Sequence, residues 1–279
     1  MVGRRAVLAT SAATVAGVAV GAATATLSRL VEAAGQRVPE PIVRAERVYS
    51  VARGREVRLV TVLPIEMPIK DLPVCLFLHG LRSTAAGAIP ASVVNLLVRS
   101  VAHDRIPPFA LVAVDGGDSY WHENRPGDDP MRMLLAELPA WLRARHLGTV
   151  FAASGFSMGG FGSLLYARRR AERGDALRGV VAVSPGLMEW SEMRKRGAFR
   201  DEREWAGLDP RNNVGALGGT SVAVWCGAQD AFAAGTREFI SAARPRVGRI
   251  LPGRHDGKFQ DLVAEDQVEF LGDVLSEGR

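Results

Sequence analysis

Gly155-Phe156-Ser157-Met158-Gly159-Gly160 is the stretch on which the fold of this 279-residue chain turns. Before it, Thr149-Val150-Phe151-Ala152-Ala153 is short and apolar with β-branched residues at its start, which suits a strand buried on both faces. After it, Phe161, Leu164, Leu165 and Ala167 recur at helical spacing as far as Arg168, Arg169 and Arg170, whose charges complement a helix C-terminus. A strand must therefore reverse into a helix within a few residues around Ser157. Only small neighbours permit so tight a reversal, and Gly155, Gly159, Gly160 and Gly162 supply them. Presented this way, a serine hydroxyl stands above the sheet while the first free N–H groups of the helix face any oxyanion formed beside it. A G-x-S-x-G pattern fixes three positions in a chain with 30 glycines, so it acquires weight only from what surrounds it.

The flanking segments alternate between strand and helix patterns. Arg47 to Ser50 and Glu56 to Leu63 alternate polar and apolar residues like half-exposed strands at a sheet edge, with Pro64 and Pro68 closing the pair. Pro73 to Leu78, Phe109 to Val114, Gly179 to Ser184 and Ser221 to Cys226 are continuous apolar runs that fit buried strands, and Val247 to Leu251 is a last strand. Helical patterns cover Ala91 to Ala102, with Val94, Leu97, Val98 and Val101 on one face, then Met131 to Arg145 with a break at Pro139, Thr236 to Ala243, and a closing helix from Gly257 to Leu275. Residues 186–218 are charged, glycine-containing and irregular, with Trp190, Phe199 and Trp205 as large apolar anchors, and read as a lid or surface excursion. Strands alternating with helices imply an α/β fold, a mostly parallel central sheet with helices on both faces. Its chemistry belongs at the carboxyl ends of the strands.

Serine needs a base to take its proton and an acid to orient that base. Of five histidines, His255 stands after the last strand in Gly253-Arg254-His255-Asp256 and is the best-placed base. His79 sits in a strand-end turn where it supports the loop, His103 and His146 lie at helix ends, and His122 is in a loop within reach of a substrate. Asp230, in Cys226-Gly227-Ala228-Gln229-Asp230, follows a strand between serine and histidine and is the candidate acid; a helix N-cap is its alternative role. Asp175, Asp201 and Asp209 fall in surface-like segments. Two N–H donors are then expected to receive the oxyanion: the backbone of Met158, and that of Leu81 in the loop after Leu78, with Arg82 as the fallback.

Asp115 to Asp129 is a long polar loop. Trp121 and His122 are candidates to line an acyl or acceptor pocket, and Asp128-Asp129 either binds a polar head group or a cation, or one of the pair caps the helix that opens at Pro130, which is the preferred reading. No phosphate loop, dinucleotide fingerprint or zinc-ligand spacing is present, so the sequence calls for no cofactor and no metal.

Composition bounds the rest. With 47% hydrophobic and 23% charged residues, the chain describes one substantial domain. Residues 1–33 are read as an export signal and the start of a linker, and residues 34–279 as the enzyme domain after a linker over 34–46. Arg4-Arg5 precedes Ala6 to Ser28, which holds no charged side chain, a twin-arginine-like pattern with Ala23-Thr24-Ala25 as a cleavage site. An ordinary secretory signal, or an uncleaved anchor that associates the protein with a membrane or cell wall, are the alternatives. Two of the five net positive charges are Arg4 and Arg5, and the remaining basic residues are interspersed with acids, which argues against a nucleic-acid partner. Cys75 and Cys226 lie in apolar runs and are expected to be buried free thiols, with oxidation of the exported pair to a disulfide as the alternative.

Phe77-Leu78-His79-Gly80-Leu81-Arg82, Gly155-Phe156-Ser157-Met158-Gly159-Gly160, Gly227-Ala228-Gln229-Asp230 and Gly253-Arg254-His255-Asp256 together resemble the putative-esterase branch of the α/β-hydrolases. That branch includes the S-formylglutathione hydrolases and the secreted mycolyltransferases, and the likeness spans about residues 45–275. It implies the α/β-hydrolase fold, Ser157 as nucleophile with His255 and Asp230, Leu81 and Met158 as oxyanion donors, and a small-molecule or lipid ester as substrate. The export signal and His-Gly-Leu-Arg resemble the mycolyltransferases, which carry glutamate where this chain has Asp230. An exported serine esterase is expected, with acyl transfer to a sugar or lipid hydroxyl, or a silent binding protein on the same fold, as the alternatives.

Overall fold

In the computed structural model the described residues are 39–65 and 70–277. The expected export signal, the start of the linker and Pro68 lie outside them. Eight strands form one sheet: β1 (Ile42–Ser50), β2 (Arg55–Leu63), β3 (Leu72–Leu78), β4 (Ala110–Val114), β5 (Leu147–Phe156), β6 (Gly179–Val183), β7 (Ser221–Gly227) and β8 (Val247–Leu251). Their spatial order is β1-β2-β4-β3-β5-β6-β7-β8. β1 pairs antiparallel with β2, and β2 with β4; every later pairing, from β3 with β4 to β7 with β8, is parallel. This is the α/β-hydrolase sheet, with the antiparallel strands at one edge and the parallel run from β4 to β8 reaching the other.

Seven helices are used below: α1 (Ala91–Ala102), α2 (130–143), α3 (Met158–Ala171), α4 (Glu202–Leu208), α5 (Ala233–Ala243), α6 (Gly257–Leu262) and α7 (Ala264–Ser276). Alternate residues of the buried strands point to opposite faces and build two cores. On one face Leu76, Val112 and Val180 pack with Phe161 and Leu164 of α3, Leu134 and Leu138 of α2 and Phe239 of α5. On the other, Phe77, Leu111 and Val181 pack with Val93 and Leu97 of α1 and Val268, Leu271 and Val274 of α7. Cys75 belongs to the second core and Cys226 to the first, so the sheet itself separates the two free thiols. Burial pushes the Cys226 thiol up to about 11.

Several sequence expectations are corrected. The linker ends earlier than expected, because β1 begins at Ile42 and its exposed residues pair along the whole of β2. β2 is not an edge strand: enclosed between β1 and β4, it buries Leu59 through Leu63, polar Thr61 among them. In α1 the buried face runs through Val93 rather than Val94. α2 is broken where expected, but by widening: Met133–Glu137 is a π-helical turn in which the Leu138 N–H reaches the Met133 carbonyl, just ahead of Pro139, which has no N–H to donate. The closing helix is two helices that meet at Val263. α3 is buried on every side from Met158 to Ala167, because Trp121 of the 115–129 loop covers the face a two-sided pattern leaves to water; a Cβ on Gly162 would strike its indole. Residues 186–218 form short helical turns, α4 included, rather than an irregular lid. Among the described residues, no helix is long and apolar enough to cross a membrane.

Candidate active site

The carboxyl ends of β5, β7 and β8 carry Ser157, Asp230 and His255 toward one point. Ser157 is the only residue between β5 and α3, and it holds φ +61° and ψ −122°, a conformation that L residues other than glycine rarely adopt. The surroundings enforce it. The Ser157 N–H donates to the Val183 carbonyl at 3.0 Å, and its own carbonyl accepts from Gly186 at 2.9 Å and Phe161 at 3.1 Å. A Cβ at Gly155 would overlap the backbone of Gly159, and one at Gly159 would overlap the Leu78 carbonyl, so both glycines are required for the reversal.

His255 Nε2 lies 2.9 Å from Ser157 Oγ, and His255 Nδ1 lies 2.8 Å from Asp230 Oδ2. The carboxylate accepts from Nδ1–H, which leaves the Nε2 lone pair facing the serine hydroxyl. The Asp230 side chain is fully buried, whereas that of His255 is 32% exposed, so the imidazole is open to solvent and the carboxylate is not. Burial by itself would raise the Asp230 carboxyl, but hydrogen bonds from His255 and from the Phe232 N–H outweigh it and hold the group below the ordinary carboxylate range. Asp230 is not the N-cap of α5, a position that Phe232 holds; its Oδ1 instead orders the turn ahead of the helix through the Phe232 N–H, while Oδ2 accepts from the imidazole. Phe156 stacks on the His255 ring at 4.4 Å and Phe232 meets it edge-on at 4.8 Å, which confines the imidazole from two sides.

The loop after β3 brings Leu81 to the same point. His79 is 1% exposed, and its Nε2 accepts from the Gly116 N–H at 2.9 Å, so the ring proton resides on Nδ1 and is donated to the Gly80 carbonyl at 2.8 Å. Burial lowers the His79 pKa and keeps the ring in that neutral form. The Gly80–Leu81 peptide is planar and trans, so anchoring its carbonyl turns the Leu81 N–H the opposite way. Neither Leu81 nor Met158 donates its N–H to an acceptor among the described residues. The Arg82 N–H, the fallback donor, is engaged by Asp118 Oδ1 at 2.7 Å and is not free for this role.

A cavity of about 320 Å³ adjoins Ser157, with Leu81, Ser83, Ala88, Phe156 and Gln260 among its walls. A larger one, of about 1010 Å³, lies between α2, the far end of α3 and α4, and does not include Ser157. His122 faces that second cavity, its ring stacked on Phe199 and its Nε2 2.8 Å from the Ala198 carbonyl. Trp121 lines neither of these two cavities: it is completely buried and donates to the His79 carbonyl. Asp129 caps α2 through the Arg132 N–H at 2.9 Å, as preferred from the sequence, while Asp128 pairs with Arg53 and Arg55. His103 and His146 are exposed at helix ends. Among the described residues no group of three His, Cys, Asp or Glu side chains is placed to hold a metal ion. Sequence reasoning did not single out Phe156, Phe232, Asp118 or Gln260. Phe156 could have been found as the variable residue of the G-x-S pattern, which must adjoin the base, but the others carry no local signal.

The family model described as putative esterase matches residues 50–243. No match is found among curated proteins. Among solved structures, the chain is similar to a ferulic acid esterase at 20% identity and TM-score 0.71, over 84% of this chain and 98% of that one. It is also similar to the fluorophosphonate-binding serine hydrolase F of Staphylococcus aureus, at 18% identity and TM-score 0.65 over 84% and 98%. An S-formylglutathione hydrolase from Agrobacterium tumefaciens gives 18% and 0.66 over 84% and 95%. Identities this low speak for the shared fold.

Proposed function

The chain belongs to the putative esterase family of α/β-hydrolases and is a carboxylic ester hydrolase, and from that premise we propose that it works through Ser157, His255 and Asp230 by way of an acyl-enzyme. Ser157 Oγ attacks the ester carbonyl while His255 Nε2 takes the hydroxyl proton, and Asp230 stabilises the imidazolium that results. The Leu81 and Met158 N–H groups receive the negative oxygen of the tetrahedral intermediate. Collapse of the intermediate breaks the ester C–O bond, and His255 returns its proton to the departing alcohol. Water then enters, gives a proton to His255, and releases the acid by the same steps in reverse order. The observation that carries this reading is the unbroken relay from Ser157 Oγ to His255 to Asp230 at 2.9 and 2.8 Å.

The ferulic acid esterase and S-formylglutathione hydrolase similarities favour a small-molecule ester or thioester. Export is part of the proposal and rests on Arg4-Arg5 and the uncharged run from Ala6 to Ser28. Turnover of nitrophenyl esters of increasing acyl length, with Ser157→Ala alongside, tests the reading. Activity on short esters that the substitution abolishes is expected; full activity in Ser157→Ala would refute it. Faster turnover when a sugar or lipid alcohol is added would identify acyl transfer instead of hydrolysis.

A further inference from the structure

Leu81 lies in a reversal from Gly80 to Ser83, closed by a hydrogen bond from the Ser83 N–H to the Gly80 carbonyl at 3.2 Å. Its third residue, Arg82, has φ +59°. A turn with positive φ at that position is ordinarily made with glycine or asparagine, and an arginine there relaxes to negative φ unless its peptide is held. That relaxation would rotate the Leu81–Arg82 peptide and, by changing ψ of Leu81, strain the adjoining Gly80–Leu81 peptide, whose N–H is the one offered to an oxyanion on Ser157. Within the turn, the bonds from His79 Nδ1 and the Ser83 N–H hold the Gly80 carbonyl, but neither acts on the Leu81–Arg82 peptide.

The restraint comes from the loop after β4. Asp118 Oδ1 accepts from the Arg82 N–H at 2.7 Å, a short, charge-assisted bond. Three residues further along the turn, the Ala85 N–H donates to Asp115 Oδ1, also at 2.7 Å, while Asp115 Oδ2 accepts from the Arg58 N–H in β2. Asp115 therefore ties the far end of the segment to the sheet, and Asp118 sets the peptide next to Leu81. Asp118 is exposed at the surface and belongs to no core, so its carboxylate is free of a packing role.

We propose that Asp118 is a positioning residue for the oxyanion site, holding Arg82 in its left-handed conformation so that the Leu81 N–H meets the developing negative charge. The inference rests on the assignment of Leu81 as an oxyanion donor to an acyl intermediate on Ser157. An interaction realised only in the transition state shows in kcat and not in KM.

The test measures kcat, KM and melting temperature for the full chain carrying Asp118→Ala, Asp118→Asn or Ser157→Ala, with a nitrophenyl ester as substrate. Asp118→Ala is expected to lower kcat about tenfold or more, since a small displacement of a donor is costly. KM should stay within about twofold. Asp118→Asn keeps an amide oxygen that accepts from Arg82 and is expected to recover most of kcat. An Asp118→Ala enzyme with wild-type kcat would overturn the role, as would a loss that Asp118→Asn does not restore or that follows a fall in melting temperature. An active Ser157→Ala enzyme would instead overturn the underlying mechanism, so the two failures are distinguishable.

Discussion

The Nε2 atom of His255 lies 2.9 Å from the Oγ atom of Ser157 across a sequence separation of 98 residues. β6 and β7 stand between the strands that deliver them, so the contact depends on two loops converging above the sheet. Convergence is secured at the histidine end by hydrogen bonds between the β7 and β8 loops. The Gln229 N–H reaches the Gly253 carbonyl at 3.0 Å, and the Gly253 N–H reaches Gln229 Oε1 at 2.9 Å. Asp256 then caps α6 through the Phe259 N–H.

Asp230→Asn preserves shape but presents an amide to Nδ1. The imidazole then adopts the tautomer with its proton on Nε2 and cannot accept from Ser157. A fall in kcat on the order of 10³ to 10⁴ with little change in KM is expected from steady-state kinetics near neutral pH. A loss of tenfold or less would mean that Asp230 does not set the tautomer.

The same carboxyl links folding to pH. Its pKa in the folded protein is lowered from 3.8, so the stability it adds is complete above the unfolded value and disappears as pH falls through the folded one. Urea unfolding of wild type and Asp230→Asn at about pH 6 and about pH 2.5 should show the difference in stability moving toward the variant in acid. A difference independent of pH would contradict the linkage.

At ordinary positions glycine is less stabilising than alanine, and at Ser157 the order should reverse. With φ +61° and ψ −122°, alanine retains the strain that glycine relieves. Ser157→Gly is therefore predicted to be more stable than Ser157→Ala by about 1 kcal/mol in urea or thermal unfolding, with both inactive. The opposite order would show that the elbow stores no strain.

Arg211 anchors the 186–218 excursion. Its guanidinium meets Asp209 and Glu189, Glu238 of α5 and the Met188 carbonyl, and Asp209 is only 1% exposed. Arg211→Ala leaves that carboxylate buried without its partner, at an expected cost of about 3 kcal/mol by thermal unfolding. The double substitution with Asp209→Asn should recover part of the loss, because the remaining amide carries no charge.

The central sheet and the triad candidates were legible because each depends on local sequence. Continuous apolar runs marked β3 to β7; Ser157 and Asp230 each follow such a run, and His255 follows the more polar last strand, in the order the fold demands. Features set by contacts distant in sequence were not legible. The all-round burial of α3 depends on Trp121, and the enclosure of β2 on a pairing with β4 about 50 residues later. Asp118 reaches Arg82 across 36 residues, and nothing adjacent to either one announces the partner. The antiparallel start of the sheet also misled: alternation in β2 suggested water on one side where the structure places protein on both.

The most direct test of the account is mass spectrometry of the protein after reaction with a fluorophosphonate, which phosphonylates an activated serine oxygen. A single adduct on the peptide containing Ser157, absent from Ser157→Ala and greatly slowed in His255→Ala, is the predicted result. An adduct on another serine, or labelling as fast in Ser157→Ala as in the wild type, would contradict Ser157 as the nucleophile.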